Sequence, residues 1–310
     1  ELRIVERADF NSFDPNLLQE YFISLRKAKP NLAKQSNSKI LQLQGLVDHD
    51  KPTVAGIFLL GEYPQAYFPQ LSVTAMVIDG TEFAELGTGG ERFIDNQRIE
   101  GTLTQMLEDT LAFIRRNTRN STIIDDDGTR ADRSEYPMIA VREIILNALI
   151  HRDYSIHTDH SPIRIILYRD RLEVENPGGL YGRITVDELG KTAADTRNPF
   201  IANGLEVMLQ TENRFSGIPT IINEMERTNL MPPVFENRRG VFKVTLYNKL
   251  RSSISSESLL EQSSMQKILQ YCIQPSRRNH KTPRIKQSFL CHCKIFTSAD
   301  PSGKTAADDS

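Results

Sequence analysis

Long apolar runs and cysteines are both scarce in this sequence. No apolar stretch approaches the ~20 residues that a membrane-spanning helix requires, which excludes a transmembrane helix. The 310 residues include three cysteines, Cys272, Cys291 and Cys293, all near the C-terminus. A disulfide framework is therefore excluded, and a reducing compartment is indicated. The first residues, Glu-Leu-Arg-Ile-Val-Glu-Arg, contain no signal-peptide core and no initiator methionine, so we expect a segment of a longer cytoplasmic protein.

A strong overall charge is also absent, since 38 basic residues nearly balance 40 acidic ones and the net charge is −2. The basic residues are unevenly spread, because six of them and no acidic residue lie between positions 276 and 296. The rest of the chain has 32 basic and 40 acidic residues, a net of −8. A body this acidic is a poor general surface for nucleic acid. Contact with DNA is therefore expected only through the C-terminal region, a local patch or another domain.

A Walker phosphate loop is missing as well. Gly-Lys-Thr occurs at Gly190 and at Gly303, but the loop needs another glycine five positions earlier. Those positions hold Thr185 and Ser298. Neither run is therefore a P-loop, and nothing in the sequence supports strand separation by a helicase motor.

What the sequence does contain is organised around residues 143–155, which read E-I-I-L-N-A-L-I-H-R-D-Y-S. Apolar residues at helical spacing predict one buried helix face, and they are Ile144, Ile145, Ala148 and Leu149. Glu143, Asn147 and His151 are four residues apart, so they line a second face of the same helix. A carboxylate can orient or deprotonate a water, and an amide oxygen is a suitable ligand for Mg²⁺. The pattern predicts the wall of a site, and the alternative is a half-buried helix with polar residues facing solvent.

Glycine-containing turns follow this helix along the chain. Two strands joined by a two-residue turn are predicted before Asn176-Pro177-Gly178-Gly179, whose glycines permit close approach of a ligand and leave amide N–H groups free to face it. Ser216-Gly217 comes at the start of a later predicted helix, where free N–H groups and the helix dipole favour an anion. Arg197 stands just before another helix start and is either a phosphate ligand or a brace for the loop.

Together these segments resemble the GHKL ATP-binding fold, which is shared by histidine kinases, a class of chaperones and type II topoisomerases. More closely, E-I-I-L-N-A-L-I-H-R-D-Y, E-N-P-G-G-L, T-R-N-P-F and S-G-I are similar to the family labelled "ATP-dependent DNA helicase RecG C-terminal-related". Members of that family often follow a Schlafen-like AlbA domain in transcriptional regulators. The likeness covers about residues 17–247.

The resemblance implies an α+β fold of GHKL type, a mixed sheet covered by helices on one face and preceded by a small α/β region. We expect an N-terminal α/β connecting domain at 1–116, a polar linker at 117–134, the ATP-binding domain at 135–250 and a tail at 251–310. The implied function is an ATP-binding regulatory domain that uses Mg²⁺, forms a homo-oligomer and acts in the cytoplasm with a DNA-binding partner domain. The alternatives are a scaffold that binds no nucleotide and a slow ATPase.

The resemblance also assigns roles to individual residues. Glu143 corresponds to the catalytic glutamate and Asn147 to the Mg²⁺ ligand. The remaining residues implied in nucleotide binding are His151, Arg152, Asn176, Gly178, Gly179, Arg197, Ser216 and Gly217. For His151 and Arg152 a second interpretation stays open, in which basic side chains stabilise a helix C-terminus above a packed Tyr154.

Two positions depart from the family's pattern. Asn176 stands where the fold normally has aspartate, and an amide oxygen still accepts a hydrogen bond from an adenine amino group, although more weakly. Phe215 stands where family members tend to have glycine, which would restrict a lid. Both departures favour the scaffold that binds no nucleotide.

In the tail, a winged-helix start is indicated at 265–272, and the basic stretch is either a DNA-contacting arm or a disordered C-terminus.

Overall fold

The N-terminal part of the chain forms three helices, two of which pack against later helices of the chain. The structure, a computed structural model, describes residues 1–87, 89–124, 130–192, 195–210 and 217–251, with side chains omitted for 120–133. Helix α1 spans Pro15–Ala28, α2 Asn37–Leu43 and α3 Val54–Leu60. The side chain of Asp14 caps α1 by accepting hydrogen bonds from two backbone N–H groups, and Pro15 occupies the first turn. Every residue of α3 is buried.

The centre of the molecule is a six-stranded mixed sheet. Its strands are β3 (Val73–Val77), β4 (Asp95–Ile99), β7 (Ile163–Leu167), β8 (Arg171–Pro177), β9 (Val234–Arg238) and β10 (Val241–Tyr247). Their order across the sheet is β4-β3-β7-β8-β10-β9. Strands β3 and β7 are parallel and the other neighbours are antiparallel. Two small antiparallel pairs lie outside this sheet, β1 (Val47–Asp48) with β2 (Lys51–Pro52) and β5 (Asn120–Ile124) with β6 (Arg130–Ser134).

Helices cover one face of the sheet. They include α4 (Leu103–Asn117), α5 (Met138–His151), α6 (Pro199–Leu209) and α7 (Gly217–Arg227). The principal core lies between these helices and the inward residues of the strands, such as Ala75, Ile165 and Val174, all of which are buried. The opposite face has a small apolar cluster and rows of ion pairs, including Arg164 with Glu175. This arrangement is the α+β, GHKL-like architecture expected from the sequence.

Three details differ from the expectations for local structure. Residues 117–134, expected to be a polar linker, contain the β5–β6 hairpin. Strands from both sides of that segment join the same sheet, and the domain boundaries remain a prediction. Strand β8 continues through Asn176 and Pro177, so Asn176 is a strand residue, not a loop residue.

Some expectations fall on residues that are not described. The winged-helix start and the basic stretch lie in 252–310, and Phe215 and Ser216 lie in 211–216, all outside the described residues. Within the described part of the chain, no helix has the length and apolar character needed to cross a membrane.

Candidate functional site

Helix α5 forms the floor of the candidate site. Its buried face consists of the predicted apolar residues together with Ala140 and Val141. The helix ends at His151, because Arg152 leaves the helical conformation with φ −51° and ψ 145°. Glu143, Asn147 and His151 therefore occupy three successive turns of one face, as the spacing predicts.

This polar face of α5 opens onto a cleft of about 360 Å³. Glu143, Asn147 and His151 line one side, and Gly217 at the start of α7 lines another. The opposite wall comes from α6 and from the segment 184–196. The structure thus brings four of the predicted site residues to one cleft.

A second, smaller cavity of about 110 Å³ lies between α5, the sheet and α7. Its walls are mainly apolar and include Ile144, Ala148, Val174, Ile221, Phe242 and Val244. Asn147 and His151 line this cavity as well as the cleft, so the two spaces lie side by side along α5. A flat apolar ring system could enter the smaller space while its polar substituents faced the larger one.

Asn176 contributes a carboxamide to the wall of the smaller cavity. The residue is only 4% exposed, and its Oδ1 atom is buried with no hydrogen-bond partner among the described residues. Leaving a buried acceptor unsatisfied costs about 1–3 kcal/mol, so such atoms in native proteins usually serve a ligand, a water or a special function.

Asn147 is held close to the first residue of α7. Its Nδ2 atom is also buried without a partner among the described residues. A β-carbon built on Gly217 would lie 2.7 Å from that atom, 3.2 Å from Asn147 Oδ1 and 2.8 Å from Glu143 Oε1. The amide of Asn147 and the carboxylate of Glu143 therefore both lie close to Gly217, and a residue with a side chain would not fit there without displacing them.

Burial changes the protonation equilibria on this face of α5. Desolvation raises the pKa of the Glu143 carboxyl above its ordinary 4.5, and the neighbouring Arg142 acts in the opposite direction. Desolvation lowers the pKa of the His151 imidazole below its ordinary 6.5, and the positive charge of Arg197 lowers it further. The site consequently favours uncharged forms of both groups.

The Asn-Pro-Gly-Gly turn departs from the prediction that its amides are free. The N–H groups of Gly178 and Gly179 both donate to the carbonyl oxygen of Gly240, at 2.7 Å and 3.1 Å. That expectation is corrected: the tip of the β9–β10 hairpin occupies these amides. Only Gly179 of the pair lines either cavity.

Gly178 is required by its surroundings. Its φ is +95°, and a β-carbon there would overlap Asp153 Cβ and Arg197 Nη1 and lie 3.0 Å from the Asp153 backbone nitrogen. The glycine thus permits close packing of the strand end against the segment that leaves α5.

Arg197 braces this turn. Its Nη2 atom donates to the carbonyl oxygen of Gly179 at 2.9 Å, and its guanidinium lies over the ring of Tyr181, 5.4 Å from the centroid. Arg197 lines neither cavity. This geometry matches the interpretation of Arg197 as a loop brace.

Arg152 lies away from both cavities, unlike His151. Its side chain is buried, and Nη2 donates to the carbonyl oxygens of Thr158 and Ser161. Tyr154 packs below the end of α5 and donates to the carbonyl oxygen of Leu149 at 2.8 Å. In this structure Arg152 therefore supports the segment after α5 and lines neither cavity.

Asn198 stands at the start of α6, where asparagine often caps a helix. Pro199 occupies the first turn, but the side chain of Asn198 does not cap α6. Its Nδ2 atom donates instead to the carbonyl oxygens of Ile150 and Arg152, both at 2.7 Å, and so satisfies the C-terminus of α5.

Several lining residues were not identified from the sequence. Ile184 and Leu189 belong to a polar connecting segment and line both spaces, and Phe242 lines the smaller cavity from β10. Asn237 lines neither cavity; its Oδ1 accepts from the N–H of Leu180 at 3.2 Å. The alternation of β10 predicts that Phe242 shares a face with Val244, but no local signal indicates which cavity that face borders.

The fold is that of an ATPase-like domain. Residues 160–246 match the model of the family described as "Putative ATP-dependent DNA helicase recG C-terminal", which confirms the family predicted from the motifs. The matched segment contains Asn176, Gly178, Gly179 and Gly217, while α5 lies before it.

One solved structure of similar fold is the crystal structure of the DIP2311 protein from Corynebacterium diphtheriae. The match has a TM-score of 0.58 and 22% sequence identity, and it covers 78% of this chain and 46% of that chain. At this identity the likeness supports the fold alone, and our chain spans about half the length of that protein. The comparison with curated proteins gave no match.

Proposed function

We propose that this chain binds ATP, with the adenine base in the smaller cavity and the phosphates directed toward the larger cleft. The observation that supports this most strongly is the unpartnered carboxamide of Asn176 in the wall of an otherwise largely apolar cavity. An amide oxygen in that position accepts a hydrogen bond from an exocyclic amino group. Asn147 and His151 border both spaces, so a ligand that extends from one to the other passes over α5.

Magnesium is part of this proposal. In the described residues no group of three or more His, Cys, Asp and Glu side chains could hold a metal ion. Mg²⁺ usually needs only one or two protein ligands together with phosphate oxygens and waters. The convergence of Asn147 Oδ1 and Glu143 Oε1 near Gly217 fits such a site. We propose Asn147 as the direct ligand; the ion would neutralise the phosphate oxygens.

The other predicted residues take supporting roles in the proposal. The backbone N–H groups at the start of α7, at Ser216 and Gly217, would face the phosphates along the helix dipole. His151 would lie at the junction of base and phosphates as a neutral hydrogen-bonding group. Gly178, Gly179 and Arg197 would shape the turn beside the base, with Arg197 as a positioning residue.

Slow hydrolysis is a further step that we assign to Glu143. A carboxylate with a raised pKa is suited to accept a proton from water, because its basicity is closer to neutral pH. Strand separation has no support in the described residues, which include no Walker loop.

At the level of the whole protein, we propose a cytoplasmic transcriptional regulator in which nucleotide binding changes the pairing of this chain with itself or with a DNA-binding domain. DNA contact would come from such a domain or from the C-terminal region. The acidic balance of the rest of the chain supports assigning DNA contact elsewhere than on this site.

The test is isothermal titration calorimetry of ATP with Mg²⁺ on the wild type, on Asn147→Ala and on Asn96→Ala. Asn96 is an exposed residue of β4, so it controls for the same chemical change away from the site. We expect saturable binding in the wild type and Asn96→Ala, and a loss of tenfold or more in Asn147→Ala, on the order of 1.4 kcal/mol. Equal affinity in all three proteins would remove Asn147 from the site.

A scaffold without nucleotide is the second candidate function, and two observations favour it. Gly240 already occupies the amides of Gly178 and Gly179, and Gly217 lies against Glu143 and Asn147. If these contacts are permanent, neither the amides of the turn nor the side chain of Asn147 is available to a nucleotide. Absence of heat with every nucleotide in the calorimetric experiment would select this function.

A further inference from the structure

The backbone of Asn176 is fixed in the sheet, whereas its side-chain carboxamide makes no hydrogen bond among the described residues. Strand β8 places it opposite Phe242 of β10, in the second pair from one end of the ladder. Among the described residues, neither Oδ1 nor Nδ2 has a hydrogen-bond partner. Asn176 lines the smaller cavity, and its side chain contains one acceptor next to one donor.

This pair of groups is complementary to a flat edge that has a donor next to an acceptor. The 6-amino purine edge has an N6–H donor beside the N1 acceptor, and the 6-oxo purine edge has an O6 acceptor beside the N1–H donor. A half-turn of the carboxamide exchanges its oxygen and nitrogen at almost the same positions. No described residue fixes the amide in one orientation, so both edges can be matched.

Resting on the proposed function, we infer that Asn176 makes the site accept purine nucleotides of both the 6-amino and the 6-oxo kind. With a 6-amino base, Oδ1 accepts from N6–H and Nδ2 donates to N1. With a 6-oxo base, Oδ1 accepts from N1–H and Nδ2 donates to O6. A carboxylate at this position would offer two acceptors and no donor, so it could match neither edge at both atoms.

The cavity walls favour purines over pyrimidines. Ile144, Val174 and Phe242 present apolar surface on several sides of the space. A pyrimidine has a similar donor and acceptor edge but a smaller ring, so it would leave part of this surface without contacts. The cavity walls thus select for the larger purine ring, and Asn176 hydrogen-bonds to either kind of purine edge.

The experiment compares ligands that differ at one position. Binding of ATP, ITP and purine riboside triphosphate, which lacks a substituent at position 6, is measured by calorimetry with Mg²⁺ on the wild type and on Asn176→Leu. CTP and UTP serve as the pyrimidine controls. Leucine is similar in size to asparagine but has no donor or acceptor. Because the amide has no described partner, we expect the melting temperature of Asn176→Leu to be equal to or above that of the wild type.

For the wild type we expect ATP and ITP to bind within about fivefold of each other, and purine riboside triphosphate about fivefold more weakly than both, as for one lost neutral hydrogen bond. In Asn176→Leu we expect the three purine ligands to bind alike. If the variant does not fold, the wild-type series decides by itself.

Three results would overturn the inference while leaving the proposed function intact. The first is that ITP binds more than about thirtyfold more weakly than ATP, which would indicate an amide fixed in one orientation. The second is that Asn176→Leu keeps the wild-type preference among the three purine ligands. The third is that CTP or UTP binds as tightly as ATP. Absence of binding by every nucleotide would instead overturn the proposed function, and this inference with it.

Discussion

Gly217 lies against the side chain of Asn147, so closely that a β-carbon on Gly217 would be 2.7 Å from Asn147 Nδ2. The start of α7 thereby covers the residue that we assign to the metal. If Asn147 binds Mg²⁺ and phosphate, the first turn of α7 must move away from it. The contact between these two residues is therefore the first place where a ligand-free and a ligand-bound form would differ.

Gly217→Ala tests this contact. The added methyl group would disfavour the covered form, and only the flexible ends of Asn147 and Glu143 must give way. If the covered form loses about 1 kcal/mol, the affinity for ATP with Mg²⁺ rises by up to about fivefold, because more of the protein is ready to bind. Calorimetry measures the change, with Gly90→Ala as the control, since a β-carbon on Gly90 meets nothing within 4 Å. Weaker binding in Gly217→Ala would show that the glycine is needed in the bound form.

Gly178→Ala should destabilise the protein far more than Gly90→Ala. Both glycines have positive φ, +95° and +85°, so both substitutions incur the left-handed backbone cost of about 1–2 kcal/mol. Only at Gly178 would the added β-carbon also overlap atoms of Asp153 and Arg197. We expect an additional loss of about 1–3 kcal/mol for Gly178→Ala, measured by urea unfolding. Equal losses for the two variants would mean that the turn relaxes without difficulty.

Stability should decrease with acid through His151. Burial lowers the pKa of this imidazole below 6.5, so as the pH falls through 6.5 the unfolded chain takes up a proton that the folded protein refuses. The unfolding free energy then declines with falling pH, at no more than about 1.4 kcal/mol per pH unit for one proton. Glu143 acts in the opposite direction, because its raised pKa adds stability as the pH falls through that pKa toward 4.5.

The measurement is urea unfolding between about pH 7.5 and pH 5 on His151→Gln and on His157→Gln, across the range where histidine titrates. His157 is exposed and serves as the matched control. We expect a smaller acid-induced loss in His151→Gln than in His157→Gln. Parallel profiles for the two variants would argue against a neutral, half-buried His151.

Removal of Mg²⁺ should abolish ATP binding but spare adenosine. Among the described residues that line the two cavities, none is lysine or arginine, whereas Glu143, Asp195 and Glu206 are acidic. In the proposed complex the phosphates would therefore be neutralised by the ion and by backbone N–H groups. With EDTA we expect ATP affinity to fall by more than tenfold, about 1.4 kcal/mol, while adenosine binding stays unchanged. ATP affinity that is insensitive to EDTA would mean that a cationic side chain neutralises the phosphates.

Arg152→Met should weaken folding but leave nucleotide binding alone. The buried guanidinium donates to the carbonyl oxygens of Thr158 and Ser161 and faces neither cavity. We expect a loss of about 2–4 kcal/mol in unfolding free energy and a change in ATP affinity of less than about threefold. The exposed Arg115→Met of α4 is the control. A large loss of affinity in folded Arg152→Met would restore the phosphate role that the resemblance implies.

By itself the sequence determined the elements that depend on local periodicity and local turn chemistry. The spacing of Ile144, Ile145, Ala148 and Leu149 predicted the buried face of α5, and the same spacing placed Glu143, Asn147 and His151 on one line. The two-residue turn at Arg169-Asp170 followed from the strand patterns on either side of it. These features are predictable because they depend on residues only a few positions apart.

Only the tertiary structure decided which groups are free at the site. The amides of Gly178 and Gly179 bind Gly240, which lies some sixty positions later in the chain. Arg152 and His151 are neighbours in sequence, yet they point to different places because the helix ends between them. The availability of a donor or acceptor is set by whichever distant segment packs against it, and no local pattern encodes that partner.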